Sequence, residues 1–214
     1  MEDKKIKVVF LDIDGVMNSR VFFEKRHKSR KQRINRFHNI ILSKIKFALN
    51  GFEYKSLAEH KTPDNRYTYE YQFKRLKQET CPEKWKWLSE FCNENNLKIC
   101  VSSVWKNHFG NKEKTIPQWW DRAFTDLGFK EGTFAGITGR RKSIRGEEIK
   151  EWLDNRNDIE DFSIIDDDSD MLEEQFNHFH HSDPWFGLNP NHLYRIKRQL
   201  DGKSNYINST KTLR

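Results

Sequence analysis

Residues 8–18 read VVFLDIDGVMN. An apolar, β-branched-rich run stops at two aspartates, Asp12 and Asp14, one isoleucine apart and followed by Gly15. The apolar run from Ile6 to Leu11 is nearly continuous, as in a strand buried on both faces in the middle of a parallel sheet. Asp and Gly are ordinary turn residues, so the stretch taken alone reads equally as a strand end or as a carboxylate pair built for chemistry.

The same pattern recurs further along. LKICVSS (97–103) is a second buried strand ending in Ser102 and Ser103, and DFSIIDDDSD (161–170) is a third, ending in Asp166, Asp167 and Asp168. FAGITG (134–139) and FNHFHHSDP (176–184) read as shorter strands. Helical segments lie between them. CPEKWKWLSEFCNENN has Pro82 at its start and Trp85, Leu88, Phe91 and Cys92 on one side. IPQWWDRAFTDLGF is stopped by Gly128, RGEEIKEWLDNR aligns Ile149, Trp152 and Leu153, and a last helix runs from about Pro190 to Leu200. Strands alternating with helices predict an α/β domain with a parallel sheet.

Residues 19–80 break that rhythm and read as an insertion or cap. Arg20 to Arg36 carries eight basic residues against the single acid Glu24. Ile34, Phe37, Ile41 and Ile45 then recur at helical spacing, and Gly51 ends that pattern. The aromatics of YTYEYQF (67–73) alternate as in a half-buried strand, which favours core packing over contact with nucleic acid. The predicted organisation is a core of residues 1–18 and 81–202, a cap of 19–80 and a polar tail of 203–214.

The chain of 214 residues suits one domain with an inserted lobe. Its 39 Lys+Arg against 32 Asp+Glu give a formal charge of +7, which favours an anionic partner such as nucleic acid. A solvated basic surface is the plainer alternative. Cys81, Cys92 and Cys100 are odd in number and lack CxxC spacing, so they read as free thiols of a reducing compartment. No stretch has the length of a membrane span, and the expectation is a soluble, cytoplasmic protein.

In an open parallel sheet the carboxyl ends of the strands share one edge, where ligands bind. The acids of the first and third strands should therefore meet. Clustered carboxylates repel one another unless a cation neutralises them, and oxygen-only ligands suit Mg2+. A phosphate substrate completes the set. It needs neutral donors, which Ser102 supplies, and a positive side chain, for which TGRRKSIRGEEI offers Arg140, Arg141, Lys142 and Arg145. Asp14, reaching past Asp12, can protonate a leaving oxygen and then deprotonate water. The cluster of His178, His180 and His181 has no partner Cys or acid at zinc spacing and reads as structural or surface. Trp105 reads as core or site wall.

FLDIDGV resembles the first motif of the haloacid dehalogenase (HAD) superfamily in its two-aspartate phosphatase form. CVSS resembles its second motif and IIDDDSD its acidic fourth. FLDIDGVMN, VSSVWK, RGEEIKEWLD, IIDDDSDM and SDPWFGL together are similar to the phosphatase-like domain of Swiss Army Knife RNA repair proteins. The resemblance spans residues 6 to about 200 and is weakest across 19–80. It implies a HAD-like Rossmannoid three-layer sandwich with a central parallel sheet and a basic cap after the first strand. It implies Asp12 as nucleophile forming an aspartyl-phosphate, Asp14 as general acid/base, and Ser102 or Ser103 on the phosphoryl group. Mg2+ would be held by Asp12, the Asp14 backbone carbonyl and Asp167, or Asp166, whose spacing to Asp170 matches some members. The usual third-motif Lys is replaced here by Arg145, with Lys142 as alternative. Lys106, Arg26, Arg30 and Arg33 are candidate substrate contacts. The function implied is a Mg2+-dependent phosphatase acting on nucleic-acid ends or nucleotides. Its alternatives are a small-metabolite phosphatase and a non-catalytic module that binds phosphate ends or a protein.

Overall fold

The computed structural model describes residues 5–26, 68–107, 116–139 and 144–202. The expected helix around Ile34–Ile45, the tail, and Arg30, Arg33, Arg140, Arg141 and Lys142 lie outside these residues.

Five parallel strands form the sheet: β1 (Ile6–Leu11), β2 (Lys98–Val101), β3 (Phe134–Ile137), β4 (Ile159–Asp166) and β5 (Phe179–His181). Their order is β3-β2-β1-β4-β5, with β1 in the middle. This is the α/β arrangement with a parallel sheet anticipated from the alternation of strands and helices. Alternation along β1 divides its apolar side chains between two cores. Val9 and Leu11 enter the larger one, with residues from α1 (Tyr69–Glu79), α2 (Pro82–Asn95), α3 (Ile116–Asp126) and α5 (Pro190–Leu200). Val8 and Phe10 enter the smaller one, against Ile149 and Trp152 of α4 (Arg145–Asp154). Three layers result, and the continuous apolar run of β1 has its explanation: both its faces are covered.

One expected element differs. The alternation of YTYEYQF predicts a half-buried strand, whereas Tyr69–Glu79 is helical. Thr68 caps it by accepting the Tyr71 N–H at 3.3 Å, and Tyr69 and Phe73, one turn apart, stack at 5.5 Å between ring centroids. Leu76 is fully buried in the larger core, so α1 packs on the core layer although it falls within the segment read as an insertion. The expected core packing of these aromatics holds for Tyr69 and Phe73, both of which border that cluster. Residues 20–26 form a further short helix directly after the first strand and its turn. No helix among the described residues is long and apolar enough to cross a membrane.

Candidate active site

The sheet order turns at β1, with β2 and β3 to one side and β4 and β5 to the other. The crevice between the carboxyl ends of β1 and β4 is therefore the place where such a sheet takes ligands. Leu11 is in register with Ile165, so Asp12, the next residue along, emerges beside Asp166. Backbone bonds tie the edge together: Asp12 N–H donates to the Ile165 carbonyl (3.1 Å) and Ser102 N–H to the Leu11 carbonyl (3.0 Å). Both acids are buried, at 3% and 1% exposure.

Arg145, the first residue of α4, spans the two. Its Nη2 lies 3.2 Å from Asp12 Oδ1 and its Nε 3.4 Å from Asp166 Oδ2. The helix start is fixed by Asp170, whose Oδ2 accepts the Arg145 N–H at 2.8 Å and whose carbonyl accepts the Gly146 N–H at 3.1 Å. Gly146 is required by packing rather than by its own conformation. A Cβ there would stand 2.5 Å from the Leu172 nitrogen and 2.7 Å from Gln175 Oε1, pushing the acidic loop away from Arg145.

Gly15 serves the opposite flank. It has φ +63°, and a side chain there would overlap the Asp167 carboxylate. Asn18, buried at 3% exposure, holds this turn from within. Its Oδ1 accepts the Gly15 N–H at 2.9 Å and its Nδ2 donates to Asp14 Oδ1 at 2.8 Å. Asp14 is exposed, so the two aspartates of DID face different surroundings: Asp12 is enclosed with the other acids and Asp14 stands at the solvent side. The turn is pinned from below by Lys84 Nζ on the Val16 carbonyl (3.0 Å) and by Ser182 Oγ on the Gly15 carbonyl (3.1 Å). Burial pulls the Lys84 ammonium down to about 8.

The electrostatics follow from crowding. Burial pushes the Asp12 carboxyl well above its usual range, the nearby Asp166 charge adds to this, and Arg145 and the Ser103 hydroxyl act against it. Burial likewise pushes Asp166 up to about 6, with Arg145 opposing. Asp167 is raised too, chiefly by burial. Oxygens of Asp12, Asp166 and Asp167 come within 4.8 Å of one another. Asp166 Oδ2 has no hydrogen-bond partner; Arg145 is near enough for attraction but not for a bond. Three hard oxygen donors, one of them with no hydrogen bond to its lone pairs, fit a small divalent cation. The side-chain carboxylate of Asp14 is not in this group.

Ser102 and Ser103 are both fully buried; the Ser103 hydroxyl acts to lower the Asp12 carboxyl and accepts the Trp105 N–H at 3.3 Å, while the Ser102 hydroxyl has no partner. Lys106, expected to meet substrate, is 2% exposed and engaged elsewhere: its Nζ lies 2.5 Å from Glu148 Oε2 and 2.8 Å from Thr138 Oγ1. Arg26, half-buried, is the last described residue of the short helix at 20–26. The three histidines make protein contacts: His178 Nδ1 with the Phe162 carbonyl, His181 Nε2 with the Asp167 carbonyl, and His180 buried in the sheet edge. Trp105 is buried in the larger core, the core reading of the two open to it.

A family model described as the HAD domain in Swiss Army Knife RNA repair proteins matches residues 8–193. The chain belongs to this HAD family. No curated protein and no solved structure matches it. Within this HAD domain, sequence reasoning missed Asn18, Lys84, Thr138, Glu148 and Ser182. Of these Asn18 carried a signal in its nearness to DIDG and Glu148 in its place three residues after Arg145; Lys84, Thr138 and Ser182 are ordinary residues where they stand. Arg-Gly at 145–146 was legible as a pair, but the reason for its glycine is a contact with residues 172 and 175.

Proposed function

We propose that this HAD domain is a Mg2+-dependent phosphatase that removes terminal phosphates from nucleic acids or nucleotides through an aspartyl-phosphate on Asp12. Family membership supports the phosphatase class. The observation that carries the reading is the enclosed Asp12 carboxylate, faced at once by Arg145, Ser103 and two further acids.

An Asp12 carboxylate oxygen attacks phosphorus, and the bond to the leaving oxygen breaks. Arg145 and the serine end of β2 hold the non-bridging oxygens, whose charge would otherwise repel the acids. Asp14, held by Asn18 at the solvent side, gives its proton to the leaving alkoxide oxygen. Water then enters, Asp14 takes back a proton, and the new oxygen–phosphorus bond displaces Asp12 and frees inorganic phosphate. Asp12, Asp166 and Asp167 would hold Mg2+, with the Asp14 carbonyl a further candidate. When bound, the ion supplies charge neutralisation for the acids and the phosphate together.

The nucleic-acid preference rests on the +7 charge, the basic run of Arg20–Arg36 and the family's RNA repair setting. Within that run, Arg26, Arg30 and Arg33 are the candidate backbone contacts. The test compares wild type and Asp12→Asn with Mg2+ on p-nitrophenyl phosphate, sugar phosphates, and 3′- and 5′-phosphorylated oligonucleotides. Asp12-dependent release that falls steeply with salt on oligonucleotides is the expected result. Salt-insensitive turnover of sugar phosphates would make it a metabolite phosphatase, and no Asp12-dependent release at all would sink the enzyme reading.

A further inference from the structure

Large aromatic side chains are exposed in two adjacent positions of the turn after β5: Trp185 at 46% and Phe186 at 63%. Exposed apolar residues elsewhere, such as Phe176 and Tyr194, have no such exposed aromatic neighbour in sequence. The turn that carries the pair is braced by hydrogen bonds. Asp183 accepts the Trp185 N–H on its side chain (2.8 Å) and the Phe186 and Gly187 N–H groups on its carbonyl (3.0 and 2.7 Å).

Both ends of the turn are tied to the acid cluster. Ser182 N–H donates to the Asp166 carbonyl (2.8 Å), Ser182 Oγ to the Gly15 carbonyl, and Leu188 N–H to the Val16 carbonyl (2.9 Å). Arg20 joins from the other side. Its N–H donates to the Pro184 carbonyl (3.0 Å), and its guanidinium lies 5.2 Å from the centre of the Trp185 ring. Two exposed aromatic side chains and an exposed cation thus stand on a turn bonded to the Asp166 carbonyl and to the Gly15–Val16 backbone.

We propose that Trp185, Phe186 and Arg20 form a stacking platform for the nucleobase next to the phosphate that enters the acid cluster. This rests on the phosphatase reading and adds what the substrate must carry beyond its phosphate: a flat base. A base has a π face for the aromatic pair whatever its identity, and the linking phosphodiester has a charge for Arg20. A sugar phosphate has no such face. Because backbone bonds hold the turn, only the side chains of the platform need ordering on binding.

The experiment measures kcat/KM for phosphate release from short 3′- and 5′-phosphorylated strands, from mononucleotides, and from the same strands with an abasic terminal residue. Trp185→Ala is expected to lower the value for base-bearing substrates about 5- to 100-fold more than for abasic ones. Trp185→Phe should recover most of it. Phe186→Ala, removing a side chain that is mostly in solvent, should show the same selectivity with less demand on folding. Mononucleotides responding as strands do would make a nucleoside phosphate sufficient, and strands alone responding would require a chain end. Equal losses on base-bearing and abasic substrates, or no loss on either, would overturn the platform and leave the pair as a surface for a protein partner. Binding of labelled strands to Asp12→Asn protein, with and without Trp185→Ala, reads the platform without turnover. The absence of Asp12-dependent release would thus overturn the phosphatase reading, whereas base-independent binding would overturn the platform.

Discussion

Two cations, Lys106 buried and Arg145 partly buried, stand against acids at the carboxyl edge of the sheet, and they are built in opposite ways. Lys106 meets Glu148, and the Glu148 oxygen that takes it also accepts from Thr138 at 3.1 Å. Burial pulls the Lys106 ammonium down and the Glu148 contact pulls it back up; one charge answers one charge, in a closed pair. Arg145, one turn earlier on the same helix, answers two carboxylates directly while a third, Asp167, crowds the same space. Burial of a cation therefore says little about function. Imbalance says more, because surplus carboxylates with raised pKa values destabilise the fold unless something else binds there.

The largest expected effect is on the unbalanced side. Asp12→Asn should cut phosphate release at least about 10³-fold, as loss of a nucleophile does. The same change should hold or raise the melting temperature in Mg2+-free buffer, since it removes one buried like charge. A variant that melts markedly lower would mean that Asp12 is a structural partner of Arg145, and the contrast between the two cations would disappear.

Glu148→Ala should do the reverse. It strands the Lys106 charge, and a buried pair broken on one side typically costs about 3–5 kcal/mol, measurable by urea unfolding. The double change Lys106→Met with Glu148→Leu removes both charges and should recover most of that loss. If the recovered double variant turns over substrate as wild type does, the pair is structural. A large fall in kcat/KM would return Lys106 to the substrate-contact role that its position after VSS suggested.

Arg145→Lys sharpens the comparison at smaller scale. The charge stays but the two-pronged reach to Asp12 and Asp166 is lost, so kcat/KM should fall about 10- to 100-fold with little change in stability. An effect below about threefold would mean that another cation holds the phosphate, and Lys142 would be the candidate to change next.

The contrast also explains what the sequence could and could not convey. The strands were legible because β1, β2 and β4 are short apolar runs with polar ends, a pattern that a two-sided parallel sheet imposes locally. That Asp12 would meet the IIDDD acids followed from a rule about strand ends alone. The helix at Tyr69–Glu79 was obscured because Tyr69, Tyr71 and Phe73 satisfy period two, while the helical pair Tyr69 and Phe73 is contained in the same three residues. Ser102 and Ser103 could not be separated, because the chain leaves the strand there and enters a tight helical turn at Val104–Asn107. Which hydroxyl meets Asp12 is then a tertiary matter. Lys106 shows the same limit: its partner Glu148 is 42 positions away, and nothing near Lys106 in the sequence hints at that pairing.

The smallest expected effect separates the two cations by metal. The raised pKa of Asp166, about 6 against an unfolded value near 3.8, means that the metal-free fold binds more protons than the unfolded chain between those limits. Its contribution to stability is therefore greatest at low pH and is lost as pH rises through about 4 to 6, the reverse of an acid held by a salt bridge. Mg2+ competes with those protons for the same oxygens, so its effect should be near zero at pH 4 and grow through that window. At 10 times its Kd, the ion should add about 1.4 kcal/mol by linkage, read as a rise in melting temperature at pH 7. Asp166→Asn should lose most of this shift, while the Lys106→Met, Glu148→Leu double variant should keep it. Equal shifts in both would place the ion outside the Asp12–Asp166–Asp167 group, and the surplus charge at Arg145 would need another explanation.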